Sequence, residues 1–231
     1  MSSGYFPPNL LPGPGRVLAV FLDVALGRTG EAGIYSGTLA THTLASLWRV
    51  YAGFLVGIGL GIFLGLLMGL FLWAERALNL SIQVLRNIPI TAWRPLAIIF
   101  FGLADRPAIF LIALGAFFPS VMNTIHGVKG TDRIVVKAGL MMGMNQEQLL
   151  RLIVLPSALP AIFTGVRLSM GISWMLVILG YLLLDANYAF RTDVVIAMML
   201  NIGIAGYLSD RLLLLLRHSL LGWTRGVSIG G

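Results

Sequence analysis

The sequence contains no cysteine. Disulfides, thiol nucleophiles and thiolate metal sites are therefore excluded. Charge is scarce as well. Only 11% of the 231 residues are Asp, Glu, Lys or Arg, against roughly 25% in soluble domains. So few charges cannot cover a water-soluble fold. His42, His126 and His218 lie far apart and show no metal-ligand spacing. There is no Gly-x-Ser-x-Gly elbow and no Gly-x-x-x-x-Gly-Lys phosphate loop. No catalytic residue and no metal site is expected, and no ATP hydrolysis by this chain. The N-terminus, Met-Ser-Ser-Gly-Tyr-Phe-Pro-Pro, lacks a basic stretch followed by an apolar run. It does not read as a cleaved signal peptide.

What is abundant is apolar surface. Hydrophobic residues make up 58% of the chain, and mean hydropathy is +0.90. That excess excludes disorder and leaves an all-α polytopic membrane protein. A span needs ~20 mostly apolar residues to cross a hydrocarbon core ~30 Å thick. Spans are expected at about Leu44 to Trp73, Ile88 to Leu103, Pro107 to Ile125, Leu159 to Leu184 and Val194 to Leu216. Pro89 and Pro95 interrupt the second. Residues 16–27 are apolar but broken by Arg16 and Asp23, and suit an interfacial helix better than a span. Residues 1–41 then form an N-terminal extracytoplasmic or interfacial segment, and 42–231 the transmembrane domain. If 16–27 also crosses, there are six spans and the N-terminus lies inside.

The interval 129–156 is polar and helical in spacing, too charged to cross. It carries Lys129, Arg133, Lys137 and Arg151 against Asp132 and Glu147. Arg217 and Arg225 lie in the tail, and Arg76 and Arg86 between the first two spans. With five spans these regions share one side. The positive-inside bias makes that side cytoplasmic, together with the C-terminus. The net charge of +7 thus reflects membrane topology and gives no support to a nucleic-acid partner.

The first span carries Gly53, Gly57, Gly61, Gly65 and Gly69, one every four residues. Such a groove is a packing face for another helix, in this chain or in a second copy. Arg94 lies within the second span. A mid-membrane Arg costs at least about 2.5–3.5 kcal/mol on insertion scales, so it should face protein, water or a partner. It either lines a translocation path that favours an anion or snorkels to a nearby interface. Asn123 and Thr124 either touch solute or bond between helices. Arg167 suits snorkelling or a structural pair.

Residues 137–156 read Lys-Ala-Gly-Leu-Met-Met-Gly-Met-Asn-Gln-Glu-Gln-Leu-Leu-Arg-Leu-Ile-Val-Leu-Pro. A short helix, a turn at Gly143 and a second amphipathic helix are expected. Leu149, Leu150 and Ile153 would form the apolar side, and Leu155-Pro156 would stop the helix before the next span. The segment resembles the cytoplasmic coupling motif of ABC importer permeases: Glu-Ala-Ala, three residues, Gly, nine residues, Ile-x-Leu-Pro. Ala138, Gly143, Ile153, Leu155 and Pro156 fall at matching positions. Lys137 stands in place of the motif's Glu and Gly139 in place of its second Ala. Ser46-Leu-Trp-Arg-Val-Tyr-Ala-Gly-Phe54, Pro89-Ile-Thr-Ala-Trp-Arg-Pro95-Leu, Phe117-Phe-Pro-Ser-Val-Met-Asn-Thr124, Asp210-Arg211 and Trp223 extend the likeness.

Together, from about residue 42 onward, the chain resembles the nitrate/sulfonate/bicarbonate (taurine) branch of binding-protein-dependent permeases. That resemblance implies a five-helix type I permease core. It implies a cytoplasmic ABC ATPase dimer, a second permease copy as a homodimer, an extracytoplasmic solute-binding protein and a lipid bilayer. It implies no cofactor on this chain, with ATP and magnesium on the ATPase partners. Two departures from the family stand out: residues 1–41 are too short and too polar for its further N-terminal span, and Trp174-Met-Leu-Val-Ile-Leu-Gly180-Tyr runs straight on where its members carry an insert after the fourth span. The alternatives are a stand-alone secondary transporter or channel, or a non-transporting homologue. Against the first, the spans hold almost no acidic groups for ion coupling.

Overall fold

The structure is a computed structural model and describes residues 12–28, 30, 32, 36–178 and 191–220. Everything described is helix, turn or connecting chain. In order these are α1 (Pro14–Leu26), α2 (Leu39–Leu70), α3 (Leu72–Arg86), a 3₁₀ turn (Ile90–Trp93), α4 (Arg94–Phe101) and α5 (Asp105–Lys129). Then come α6 (Arg133–Met141), α7 (Gln146–Leu149), a π turn (Leu150–Val154), α8 (Leu155–Ile178) and α9 (Thr192–Leu220). Among the described residues, four helical stretches are long and apolar enough to cross a membrane: Leu39–Leu70, Asp105–Lys129, Gln146–Val177 and Thr192–Arg217. A fifth crossing is formed if Leu72–Arg86 and Ile90–Phe101 count as one broken span, bent by 93°.

Helix α5 is the centre. On one side it lies parallel to α2 in a fixed register. Gly53, Gly57, Gly61, Gly65 and Gly69 face Ile112, Ala116, Ser120, Thr124 and Val128, each 59 residues on. A Cβ at Gly53 would lie 2.7 Å from Ile109 O, and one at Gly65 2.6 Å from Thr124 Cβ. The glycine face is therefore filled by α5 of the same chain. Lipid gives no hydrophobic drive for this contact, so close backbone approach and dispersion hold it. On its other side α5 runs antiparallel to α8. Gly127 faces Ala158 and Ala161, Gly165 faces Asn123, and Gly115 faces Ile172 and Leu176.

Helix α9 joins through polar clasps. The Ser209 hydroxyl donates to Ala205 O (2.8 Å) and accepts from Trp174 Nε1–H (3.1 Å). Tyr51 Oη lies 3.0 Å from the same hydroxyl, which ties α2 into the cluster. Asn201 donates to Thr43 Oγ1 at 2.9 Å. Between α5 and α8, Ser169 donates to Ala116 O (2.7 Å) and lies 2.9 Å from Ser120 Oγ.

The second crossing departs from the sequence expectation. Helix resumes at Leu72 rather than near Ile88, α2 ends at Leu70 rather than Trp73, and the stretch expected to span from Ile88 to Leu103 holds only a 3₁₀ turn and the eight-residue α4, bent by 93° from α3. Arg76 and Arg86 therefore sit on a helix, not in a loop. The reason is that α3 is amphipathic. Ala74, Leu78 and Ile82 recur every four residues and pack with Met68, Phe118 and Val121. Lys129 at the end of α5 pairs with Glu75.

Helix α1 has 13 residues, about 20 Å at 1.5 Å per residue, which is short of the ~30 Å core. Val20 and Val24 pack on Val194, Ala197 and Met198 of α9. Asp23, which breaks the apolar run in sequence, is buried. Its carboxylate accepts from the N–H groups of Gly30 and Ala32, both at 2.9 Å.

Candidate functional site

Two features stand out, at opposite ends of α8. The first is the corner between α6 and α7. Asp132 caps α6 by accepting from the Ile134 N–H at 2.8 Å. Gly143, at φ +80°, ends it. Its N–H donates to Leu140 O at 3.0 Å, and the Met144 N–H reaches Gly139 O at 3.1 Å. These two bonds make a Schellman motif, which needs a left-handed residue after the helix. Asn145 and Gln148 then form a reciprocal capping box, with bonds of 2.8 and 3.0 Å. Both helix ends at the corner are thus satisfied locally.

Gly139 is buried and acts as the seat of the corner. A Cβ there would lie 2.7 Å from Ile153 Cδ1 and 2.8 Å from Leu149 Cδ2. A side chain there would have to push those two side-chain ends aside. The outer surface is apolar and uncovered: Ile134 is 75% exposed, Met141 87%, Met142 70% and Leu152 63%. Lys137 and Ala138 are exposed beside them.

The expected stop at Leu155-Pro156 is not there. Helix continues from Gln146 to Val177. Pro156 has no N–H, and its ring would clash with the carbonyl four residues back. The π turn widens the backbone just before it, with the Leu155 N–H bonding Leu150 O, five residues back. The corner is therefore attached directly to the membrane helix, with no flexible break between them.

The second feature is a cavity of about 370 Å³ at the other end, between α2, α4, α5 and α8. Ile98, Pro107, Leu111, Ile112 and Val177 are among its apolar walls. Two cations line it. Arg49 on α2 is bound to Asp105 at the start of α5, with Nε 2.6 Å from Oδ1. Arg94, at the start of α4, is exposed and has no ion-pair partner among the described residues. The 3₁₀ turn that brings it there follows from Pro89 and Pro95. Pro95 sits in the first turn of α4, where a missing N–H costs nothing.

The other residues weighed for the path lie elsewhere. Thr124 is fully buried against Gly65 in the α2–α5 seam, and its hydroxyl has no partner in the described structure. Asn123 donates to Pro119 O at 2.8 Å and packs on Gly165. Neither lines the cavity that Arg94 lines. Arg167 pairs with Asp210 through two bonds of 2.8 Å. Sequence reasoning missed the role of Arg49 and Asp105, which are 56 residues apart and have no local signal linking them. Trp174 to Ile178 continue α8, while Trp223, Arg225 and the positions just beyond 178, over which the insert is expected, lie outside the described residues.

Residues 57–220 match the family model of the binding-protein-dependent transport system inner membrane component. The putative aliphatic sulfonates transport permease protein SsuC of Escherichia coli (strain K12) is 37% identical, over 96% of this chain and 85% of its own. The taurine transport system permease protein TauC of the same organism is 32% identical, over 94% and 81%. The nitrate import permease protein NrtB of Synechocystis is 32% identical, over 87% and 77%. Such a family is a transport component that spans the inner membrane several times, and it implies ATPase and binding-protein partners. The helical bundle, the capped corner and these matches agree: the chain belongs to the inner membrane permease components of binding-protein-dependent ABC importers.

Proposed function

We propose that this permease passes a small oxyanion, and that Arg94 supplies the attraction. The observation that carries the reading is the cavity of about 370 Å³ with apolar walls, one paired guanidinium and one unpaired. An unpaired guanidinium at an apolar cavity is free to take an anion through charge-assisted hydrogen bonds. The relatives above are named for aliphatic sulfonates, taurine and nitrate, each bearing a charged oxygen group. The cavity has the charge and size for such a solute. A binding protein would deliver it on the outer face, where the positive-inside bias puts the N-terminal segment.

The α6–α7 corner is the docking element for a cytoplasmic ATPase dimer, with ATP and magnesium held by those subunits. Lys137, Ala138, Gly139, Gly143, Ile153, Leu155 and Pro156 build it. Its rigid caps and its unbroken link to α8 suit it to carry a push into the bundle. Closure of the ATPases would move α8 against α9 while α2 and α5 stay locked. A second copy of the chain completes the pore, and the C-terminus faces the cytoplasm.

The test is ATP-driven uptake of radiolabelled nitrate or taurine by the whole importer in liposomes. Arg94→Leu is expected to lower uptake at least tenfold, while Arg94→Lys retains most of it. Unchanged uptake by a normally inserted Arg94→Leu protein would sink the anion reading. ATP-independent uptake by the permease alone would instead favour a stand-alone transporter.

A further inference from the structure

A second charged cavity lies between α8 and α9. Phe163, Thr164, Arg167, Leu168, Asp210 and Arg217 enclose about 250 Å³. It is remote in the fold from the Arg94 cavity and shares no residue with it. Helices α8 and α9 run antiparallel here, since Trp174 meets Ser209 while Arg167 meets Asp210. The crevice therefore lies in the half of α8 that is nearer in the chain to residues 129–156. Arg217 lies seven residues beyond Asp210 in that direction, about 10 Å along the helix axis.

The charges do not balance. Two guanidiniums face one carboxylate. Asp210 is held by Nε and one terminal nitrogen of Arg167, each at 2.8 Å. That pairing fixes the plane of the guanidinium and leaves its other terminal nitrogen without a partner among the described residues. Arg217 is half-buried and makes no ion pair among the described residues. Thr164 donates its hydroxyl hydrogen to Pro160 O at 3.0 Å, so only its oxygen remains, as an acceptor. Donors for an anion thus come from the two arginines. Phe163 and Leu168 give the crevice an apolar wall for a carbon chain.

We propose that this crevice binds an oxyanion, with Arg217 as the principal ligand and Arg167 as a second donor that Asp210 holds in place. A forked guanidinium matches two oxygens of a phosphate, sulfonate or carboxylate group. An oxyanion there cancels the surplus positive charge. Two sources share this chemistry. One is the phosphate of an anionic lipid, since basic crevices between membrane helices on the cytoplasmic side hold such headgroups. The other is a solute anion on its way out of the bundle.

The experiment uses the full chain in nanodiscs, with nitrogen-15 arginine side chains followed by NMR. Arg217→Gln and Arg167→Lys variants identify the two resonances. In phosphatidylcholine discs, titration with sodium methanesulfonate is expected to shift the Arg217 signal saturably if the ligand is a solute. In discs containing phosphatidylglycerol, the signal is expected to be shifted already if the ligand is a lipid phosphate. Either result supports the site and names its source. Arg217→Gln should weaken the response seen at Arg167 at least tenfold. Arg94→Leu should leave it unchanged, so this site and the outer cavity stand or fall separately. The proposal is overturned if neither methanesulfonate nor phosphatidylglycerol moves the Arg217 signal, or if Arg217→Gln leaves the Arg167 response intact.

Discussion

The α2–α5 seam and the α8–α9 interface both join helices inside the membrane, by opposite means. The seam removes side chains. Five glycines in steps of four let two backbones touch over five successive positions. The α8–α9 interface keeps side chains and uses their polar ends: Trp174 to Ser209, and Arg167 to Asp210. A seam of touching backbones has one arrangement, because any sliding drives the glycine face onto a bulkier residue. Polar pairs can be broken and remade, since each contributes on average only ~0.6 kcal/mol when measured within a membrane. The difference separates a fixed scaffold from a joint that can rearrange.

Substitutions can break this contrast or sharpen it. The largest effect is expected at the seam. Gly57→Leu should cost more than about 3 kcal/mol, beyond ordinary overpacking, because a backbone carbonyl blocks the space. Gly59→Leu should cost almost nothing, because nothing lies within 4 Å of a Cβ there. Thermal unfolding of the two proteins in detergent checks the pair. If Gly57→Leu matched Gly59→Leu, the seam would not be the scaffold.

The joint comes next. Arg167→Leu strands Asp210 and should cost about 2 kcal/mol, less than a fully buried pair because more than a third of each side chain is accessible. Arg167→Leu combined with Asp210→Leu should recover part of that loss in the same melting experiment. Failure of the double variant to recover would show that the two residues act separately.

The corner is third. Gly143→Ala places a Cβ at φ +80° and should cost about 1 kcal/mol. Its larger consequence should be weaker co-purification with the ATPase, read by pull-down. Gly171→Ala, at an ordinary φ with nothing within 4 Å of a Cβ, serves as the comparison. The smallest effect is expected for Ser209→Ala. It removes the shared acceptor of Tyr51 and Trp174 and should lower stability by about 1 kcal/mol or less.

The sequence exposed the seam and the corner because each is written locally. Glycine every four residues defines a face, and Gly143 and Pro156 punctuate one short segment. Three other features were not readable, for physical reasons. Helix α3 holds Glu75, Arg76, Asn79, Ser81, Gln83 and Arg86, so it has no apolar run, and its helicity depends on packing Ala74 and Ile82 against α5. The Arg49–Asp105 pair joins positions far apart in the chain, and only the bundle brings them together. The continuous helix through Pro156 depends on a π turn, a local widening with no composition signal. Arg94 was singled out as an ion in a membrane, but its cavity is built from four helices and became visible only with the fold.

The absence of cysteine permits the most direct test, because two introduced cysteines can carry spin labels without background. One pair, at Phe63 and His126, reports the α2–α5 seam. The other, at Leu168 and Leu212, reports the α8–α9 joint. All four positions are exposed. In the assembled importer, trapping the ATP-bound state is expected to leave the first distance unchanged and to alter the second by more than about 2 Å. A seam distance that changes as much as the joint distance, or a joint that does not move at all, would contradict the division into scaffold and joint.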